Sequence, residues 1–338
     1  MVVNFFKDFK NYIRLKILEK NFSRGFFVEN NSLLKYLETY INYKKSLIIS
    51  FESLKNTTIK KENIFIFSTN LFRQLVFLTL KLDYLYSTTP GLNQTSFQKT
   101  KFSKCKYIYL QHSSIGLIHA YNHDAFINFD VVHVINNFQV KDLITINSIY
   151  KKKIKIFKSK YSLFNKTFSS NNVELNILIA PSWNTSFYKN NYHNLLFRLL
   201  TKKNVNFSIR PHPMSFKKNE ISKIELLSIG YKIDDNNDFD FKTYNTLISD
   251  WSGIFIEFSY YLKKKAFLIN TPKKILNKNS KNFNHVSFEE FSRNEIANIY
   301  NDNCLDQMVE DITNDSNENI EKDKKVINKF FKSFFFNQ

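Results

Sequence analysis

Short apolar runs alternate along the chain with longer amphipathic stretches. Leu47 to Phe51, Ile64 to Phe67, Tyr84 to Tyr86, Tyr107 to Leu110, Val131 to Ile135 and Ile154 to Phe157 have the length and β-branched or aromatic content of strands. Between them, Leu71 to Leu80 and Phe138 to Tyr150 carry apolar residues at helical spacing. A second series follows: a strand at Ile177 to Ala180, a helix around Tyr192 to Lys202, a strand at Val205 to Ile209, and a helix near Glu220 to Leu227. It continues with a strand at Leu247-Ile248, an apolar-faced helix from Ile254 to Leu262 and a strand at Ala266 to Ile269. Strands alternating with helices imply an α/β fold with parallel sheets. The polar, Asn/Ser-rich stretch from Ser162 to Glu174 separates the two series. The expected organisation is therefore an α/β domain over 1–165, a linker over 166–174, a second α/β domain over 175–310 and a helix over 311–338.

The two ends add amphipathic segments. Phe5, Phe6, Phe9, Tyr12, Ile13 and Ile17 fall at helical spacing, with Lys7, Lys10, Arg14 and Lys20 on other faces. Two readings fit: a helix lying on an anionic bilayer, or a first helix packed on its domain. Beyond Asn270 the chain becomes lysine- and asparagine-rich, with helices predicted over Phe288 to Tyr300 and Leu305 to Ile312, and a tail ending in Phe330, Phe331, Phe334, Phe335 and Phe336.

Composition narrows the class. With 338 residues, 43% of them hydrophobic and 17% aromatic, the chain can bury a sizeable core across two domains. No apolar run of ~20 residues predicts a membrane span. The first hydrophobics are interrupted by Lys7, Asp8, Lys10, Arg14 and Lys16, so no secretory signal is expected and the cytoplasm is the expected compartment. Cys105 and Cys304 lie too far apart in sequence to suggest a disulfide framework. The net charge of +19 invites a polyanion, but the same Lys, Asn, Ile, Phe and Tyr bias is what an AT-rich genome imposes on any protein. The aromatics fall in predicted strands and helix faces and form no stacking motif, so nucleic acid is not the expected partner.

Glycine and proline are scarce, and the places that keep them mark the chemistry. The stretch Thr246 to Asn270 reads strand, turn, helix, strand, with the turn Ser249-Asp250-Trp251-Ser252-Gly253 at the strand end. The free N–H groups and positive end of such a helix can hold an anion, Ser252 offers a hydroxyl, and Gly253 allows close approach to the backbone. Asp250 suits a cap or turn, and Glu257, one turn on, suits ribose hydroxyls. Ile209-Arg210-Pro211-His212-Pro213 sets a guanidinium and an imidazole at another strand end, suited to phosphate. His112 ends the Tyr107 strand, where a neutral imidazole can take a proton from an acceptor hydroxyl. Trp183, after Pro181 and Ser182, can wall a base pocket.

These landmarks, in order, resemble the CDP-glycerol glycerophosphotransferase family, which makes teichoic-acid-like polymers and has the two-domain GT-B architecture. The matching elements are the strand ending at His112, the segment Ile177-Leu178-Ile179-Ala180-Pro181-Ser182-Trp183, the Arg-Pro-His-Pro turn and the Asp250-Trp251-Ser252-Gly253 turn with Glu257 on the next helix. The resemblance covers about Lys106 to Asn270, and Ser113 stands where that family usually has glycine. It implies two Rossmann-like domains facing a cleft, with His112 as general base. Arg210, His212, Ser252 and Gly253 would lie on the donor phosphates, and Ser182, Trp183, Asp250 and Glu257 at the nucleotide. His212 would join His112 as a catalytic group. It further implies a C-terminal helix that packs back on the first domain.

The expected reaction is transfer of glycerol phosphate, or a related phospho-alcohol, from CDP-glycerol or another CDP/CMP-activated donor. The acceptor would be a hydroxyl of a lipid-linked or cell-surface glycan precursor at the inner membrane face, and CMP would leave. A GT-B glycosyltransferase using a CMP- or UDP-activated sugar, or a non-catalytic polyanion-binding scaffold, is the alternative. No Walker loop or dinucleotide fingerprint exists, and no cofactor is expected. Nor is a metal: His119 and His123 have helical spacing but no adjacent glutamate, and Asp238-Phe239-Asp240 reads as a solvated connector. The basic run Lys151 to Lys155 reads as a solvated helix end.

Overall fold

The computed structural model describes residues 2–41, 45–54, 60–122, 124–165, 174–235, 241, 243–314 and 317–336. Two parallel sheets organise them. The first contains β1 (Arg24–Val28), β2 (Leu47–Ser50), β3 (Ile64–Ile66), β4 (Tyr84–Ser87), β5 (Lys106–Tyr109), β6 (Val131–Val134) and β7 (Lys155–Lys158), in the order β3-β2-β1-β4-β5-β6-β7. The second contains β8 (Asn176–Ile179), β9 (Asn206–Ile209), β10 (Thr246–Ser249), β11 (Ala266–Ile269) and β12 (Ala297–Tyr300), in the order β12-β11-β10-β8-β9. Leu47, Ile48, Ile49, Ile177, Leu178 and Ile179 are fully buried, because helices cover both faces of each sheet.

Helices α1 (Val2–Leu18), α2 (Leu34–Leu37), α3 (Asn70–Leu78) and α4 (Asn137–Ile149) are interleaved with the first sheet. Helices α5 (Tyr192–Lys202), α6 (Pro213–Lys217), α7 (Lys223–Ile229), α8 (Ile254–Leu262) and α9 (Phe288–Ile296) alternate with the strands of the second sheet, and α10 (Leu305–Thr313) and α11 (Asn317–Phe334) follow its last strand.

The strand orders locate a crevice. In the first sheet the order reverses between β1 and β4, and in the second between β10 and β8. Loops leaving such neighbours diverge to opposite faces, opening a gap at the carboxyl ends of the strands. β1 itself does not emerge from the periodicity, since Arg24-Gly25 breaks its apolar pattern, yet it pairs with both β2 and β4. A second correction concerns Phe288 to Tyr300, expected as one helix. The helix stops at Ile296, and Ala297–Tyr300 turns into β12 because it can pair in register with Ala266–Ile269.

α1 packs one face on its domain, as the second reading of its sequence expects. Leu15 and Asp8 are fully buried, and Asp8 accepts hydrogen bonds from the Ser68 and Thr69 N–H groups and the Thr69 hydroxyl, fixing the start of α3. Its opposite face leaves Val3, Phe6, Ile13 and Ile17 in solvent. No helix among the described residues is long and apolar enough to cross a membrane. At the other end of the chain, Phe330, Phe331 and Phe335 of the tail are buried in one cluster with Ile135 from the end of β6 and Phe255 of α8. Phe336 N–H donates to the Ile135 carbonyl at 3.1 Å.

Candidate functional site

A cleft of about 1110 Å³ lies between the two sheets at their switch points. Its walls are the loops after β1, β4 and β5 on one side and those after β8, β9, β10 and β11 on the other. Of the residues expected at the site, His112, Ser182, Trp183, Arg210, His212, Ser252, Gly253 and Glu257 all line it. Asp250 does not. It is fully buried, accepting from Ser182 N–H at 2.7 Å and the Thr185 hydroxyl at 2.8 Å. Nor does it cap α8, whose N-cap is Gly253 without a side-chain bond. Burial raises the Asp250 pKa, while those donors pull it back. Its position ties the β8 loop to the β10 loop beneath the cleft floor.

His112 follows β5 directly, and its Nδ1 shares a hydrogen bond with Tyr109 Oη at 2.9 Å. Tyr36 and Tyr121 present ring edges to the imidazole at centroid distances of 6.1 and 5.9 Å. Burial among these rings lowers the His112 pKa to about 4, partly opposed by a hydrogen bond to the Thr88 backbone. The imidazole is therefore neutral at pH 7, the state a proton acceptor needs.

His212 stands at the start of α6, where its Nδ1 accepts from the Met214 N–H at 3.0 Å. Because Nδ1 accepts, the ring proton of the neutral form sits on Nε2. Burial, then Lys274, then His112 push the His212 pKa down to about 3. The His212 imidazole is thus neutral at pH 7, with its N–H on Nε2. Arg210, at the same strand end, is engaged as well: its Nη2 donates to Asp234 Oδ2 at 2.6 Å.

Gly253 is needed for a different contact from the one its motif suggests. Its φ is −60°, so no glycine-specific backbone is involved. A Cβ there would meet Ile115 Cγ2 at 2.8 Å and Ser113 Oγ at 2.9 Å, both on the loop after β5. The glycine therefore lets the two halves touch. Ser114 donates to the Gly253 carbonyl at 3.3 Å across the same contact.

Glu257 faces that junction as well. Tyr161 donates to its Oε1 at 2.7 Å, and burial raises its pKa to about 7 against the pull of Tyr161, Lys35 and Ser114. The sequence reading passed over Tyr109, Tyr161, Asp234 and the two lysines after β11. Lys273 and Lys274 carry the same signal as Arg210, a cation just past a strand's carboxyl end. Among the described residues no cluster of His, Cys, Asp and Glu could hold a metal ion. His123, Asp238 and Asp240 lie outside the described residues.

Two α/β units with parallel sheets, meeting at a cleft lined from both, define the GT-B class of fold. The chain is similar in structure to the wall teichoic acid polymerase TagF, with a TM-score of 0.55 at 12% identity over 99% of this chain and 94% of that one, in the H548A form. The structure titled without that substitution gives the same score and identity over 93% of its chain. A UDP-N-acetylglucosamine 2-epimerase aligns over 91% of this chain and 90% of its own at 11% identity and a TM-score of 0.47. No family model and no curated protein matches the sequence.

Proposed function

We propose that the protein is a GT-B transferase that moves glycerol phosphate, or a related phospho-alcohol, from a CDP-linked donor to a hydroxyl of a lipid-linked or surface glycan precursor. The observation that carries this reading is that His112, from the loop after β5, and His212, from the loop after β9, line one cleft from opposite sides. The sequence resemblance supports the donor class, as does the structural likeness to a protein named a wall teichoic acid polymerase.

The acceptor hydroxyl enters beside His112, which takes its proton as the oxygen attacks the β-phosphorus. The bond from that phosphorus to the bridging oxygen breaks, and CMP leaves with the electron pair. Arg210, the His212 Nε2–H and the N–H groups at the start of α8 stabilise the oxygens on which charge builds. Trp183 and Ser182 wall the nucleotide. The exposed apolar face of α1, flanked by Lys7, Lys10 and Lys20, rests on the anionic inner surface of the cell membrane, where a lipid-linked acceptor is found.

The test is a melting-temperature panel with CMP, CDP, CDP-glycerol, CMP-sialic acid and UDP-N-acetylglucosamine, followed by phosphorus NMR of the product. Selective stabilisation by CDP-glycerol and a new phosphodiester are expected. Preference for a CMP- or UDP-sugar, with no phosphodiester formed, would move the reaction to a sugar carbon.

A further inference from the structure

Lys274 lines the cleft from outside the donor-side motifs. Lys274 follows β11 in the segment Thr271-Pro272-Lys273-Lys274, and its Nζ donates to Ser182 Oγ at 3.1 Å. The ammonium also stands 4.3 Å from the centroid of the Trp183 ring. Three other cations that line the cleft each hold a carboxylate: Arg210 faces Asp234, Lys223 faces Asp235 and Lys273 faces Glu290. Among the described residues Lys274 makes no ion pair, and the hydroxyl of Ser182 is its hydrogen-bond partner.

An ammonium placed against an aromatic ring loses hydration, and one hydroxyl does not replace it. Burial accordingly lowers the Lys274 pKa to about 8, opposed by the more distant Asp250, Glu220 and Glu289. An arriving anion would supply the missing counter-charge. His212 lines the same cleft, with its ring centroid 6.1 Å from that of Trp183.

We propose that Lys274 is a donor-recognition residue that binds the phosphate oxygens of a diphosphate, with Ser182 Oγ and the Trp183 ring fixing the direction of its ammonium. This deepens the transferase reading and rests on it. Arg210 divides its charge between Asp234 and the ligand, so Lys274 is the cleft's stronger phosphate contact. Two linked phosphates give Lys274 and Arg210 one anionic centre each, which favours a nucleoside diphosphate donor over one with a single phosphate.

The chain's two tryptophans, Trp183 and Trp251, both line the cleft, so intrinsic fluorescence reports what enters it. Full-length protein, Lys274→Met and Lys274→Arg are titrated with inorganic pyrophosphate, CMP and CDP. Pyrophosphate should bind the wild type, bind Lys274→Met about tenfold more weakly, and bind Lys274→Arg nearly as well as wild type. The melting temperature of Lys274→Met should equal or exceed that of the wild type, because the substitution removes a desolvated charge. Pyrophosphate affinity in Lys274→Met within about twofold of wild type, or no pyrophosphate binding by the wild type, overturns the proposal. Lys274-dependent pyrophosphate binding with no added affinity for CDP or CMP would keep the anion site and sink the transferase. Tight CDP binding indifferent to Lys274→Met would do the reverse.

Discussion

Arg210 and Asp234 hold each other across a 2.6 Å ion pair on the cleft wall, with side chains only 16% and 10% exposed. A phosphate that enters must share the guanidinium with that carboxylate. Asp234→Asn is expected to raise affinity for CDP by roughly three- to tenfold, because it frees Arg210. Arg210→Ala should lower it by more than about tenfold, since the uncompensated Asp234 charge would then face the phosphates. Titration calorimetry on both variants decides. Unchanged affinity in Asp234→Asn would mean that Arg210 never reaches the ligand.

His112 has a second consequence for catalysis. A base with a pKa of about 4 stays neutral far below the ordinary histidine value of 6.5. The acid limb of kcat/KM that belongs to His112 should therefore appear only as pH approaches 4. Tyr109→Phe removes the hydrogen bond that orients the ring, and should lower kcat about tenfold while CMP affinity stays unchanged. An acid limb centred near pH 6.5 would show that the proton acceptor does not sit in surroundings that lower its pKa.

Glu257 predicts a pH-dependent stability of definite sign. Its folded pKa, about 7, is raised above the ordinary 4.5, so the folded state binds the proton more tightly than the unfolded chain. The contribution is complete below pH 4.5 and is lost as pH rises through 7. Glu257→Gln lacks it. The variant's unfolding free energy relative to wild type should rise by on the order of 2–3 kcal/mol between pH 4.5 and 8, measured by denaturant titration. A difference that does not change with pH would place the carboxyl in contact with water.

Gly253→Ala tests the junction of the halves. With φ at −60° an alanine is not strained by its backbone, so any cost comes from Ile115 and Ser113. A loss of about 1–3 kcal/mol is expected from overpacking. Ser113→Gly should recover part of it in the double variant, by removing the hydroxyl 2.9 Å from the new methyl group.

The outer face of α1 can be altered without touching the core. Phe6 and Ile17 are 65% and 64% exposed, and Phe6→Glu with Ile17→Glu should leave the melting temperature unchanged. Co-sedimentation with vesicles of anionic phospholipid should drop to the level seen with neutral vesicles. Undiminished binding would assign membrane contact to another surface.

Ten of the strands and the placing of function at their carboxyl ends are readable from the chain, because strands covered on both faces leave continuous apolar runs. Arg210 follows such a run directly, and His112, His212 and Ser252 lie within a few residues of one. β1 and β12 escape detection, as Arg24-Gly25 and the helix-like approach to Ala297 conceal them. Without β1, the reversal of strand order that opens the cleft cannot be drawn.

Partnership is the other thing local pattern does not contain. That Arg210 meets Asp234, that Lys274 meets Ser182 across 92 positions, and that Gly253 seats the loop of Ser113 depend on which strand ends become neighbours. The order of strands in each sheet and the packing of one sheet's loops against the other's decide those distances. Periodicity records which face of an element is buried; only tertiary packing determines what that face, or the loop beyond it, is buried against.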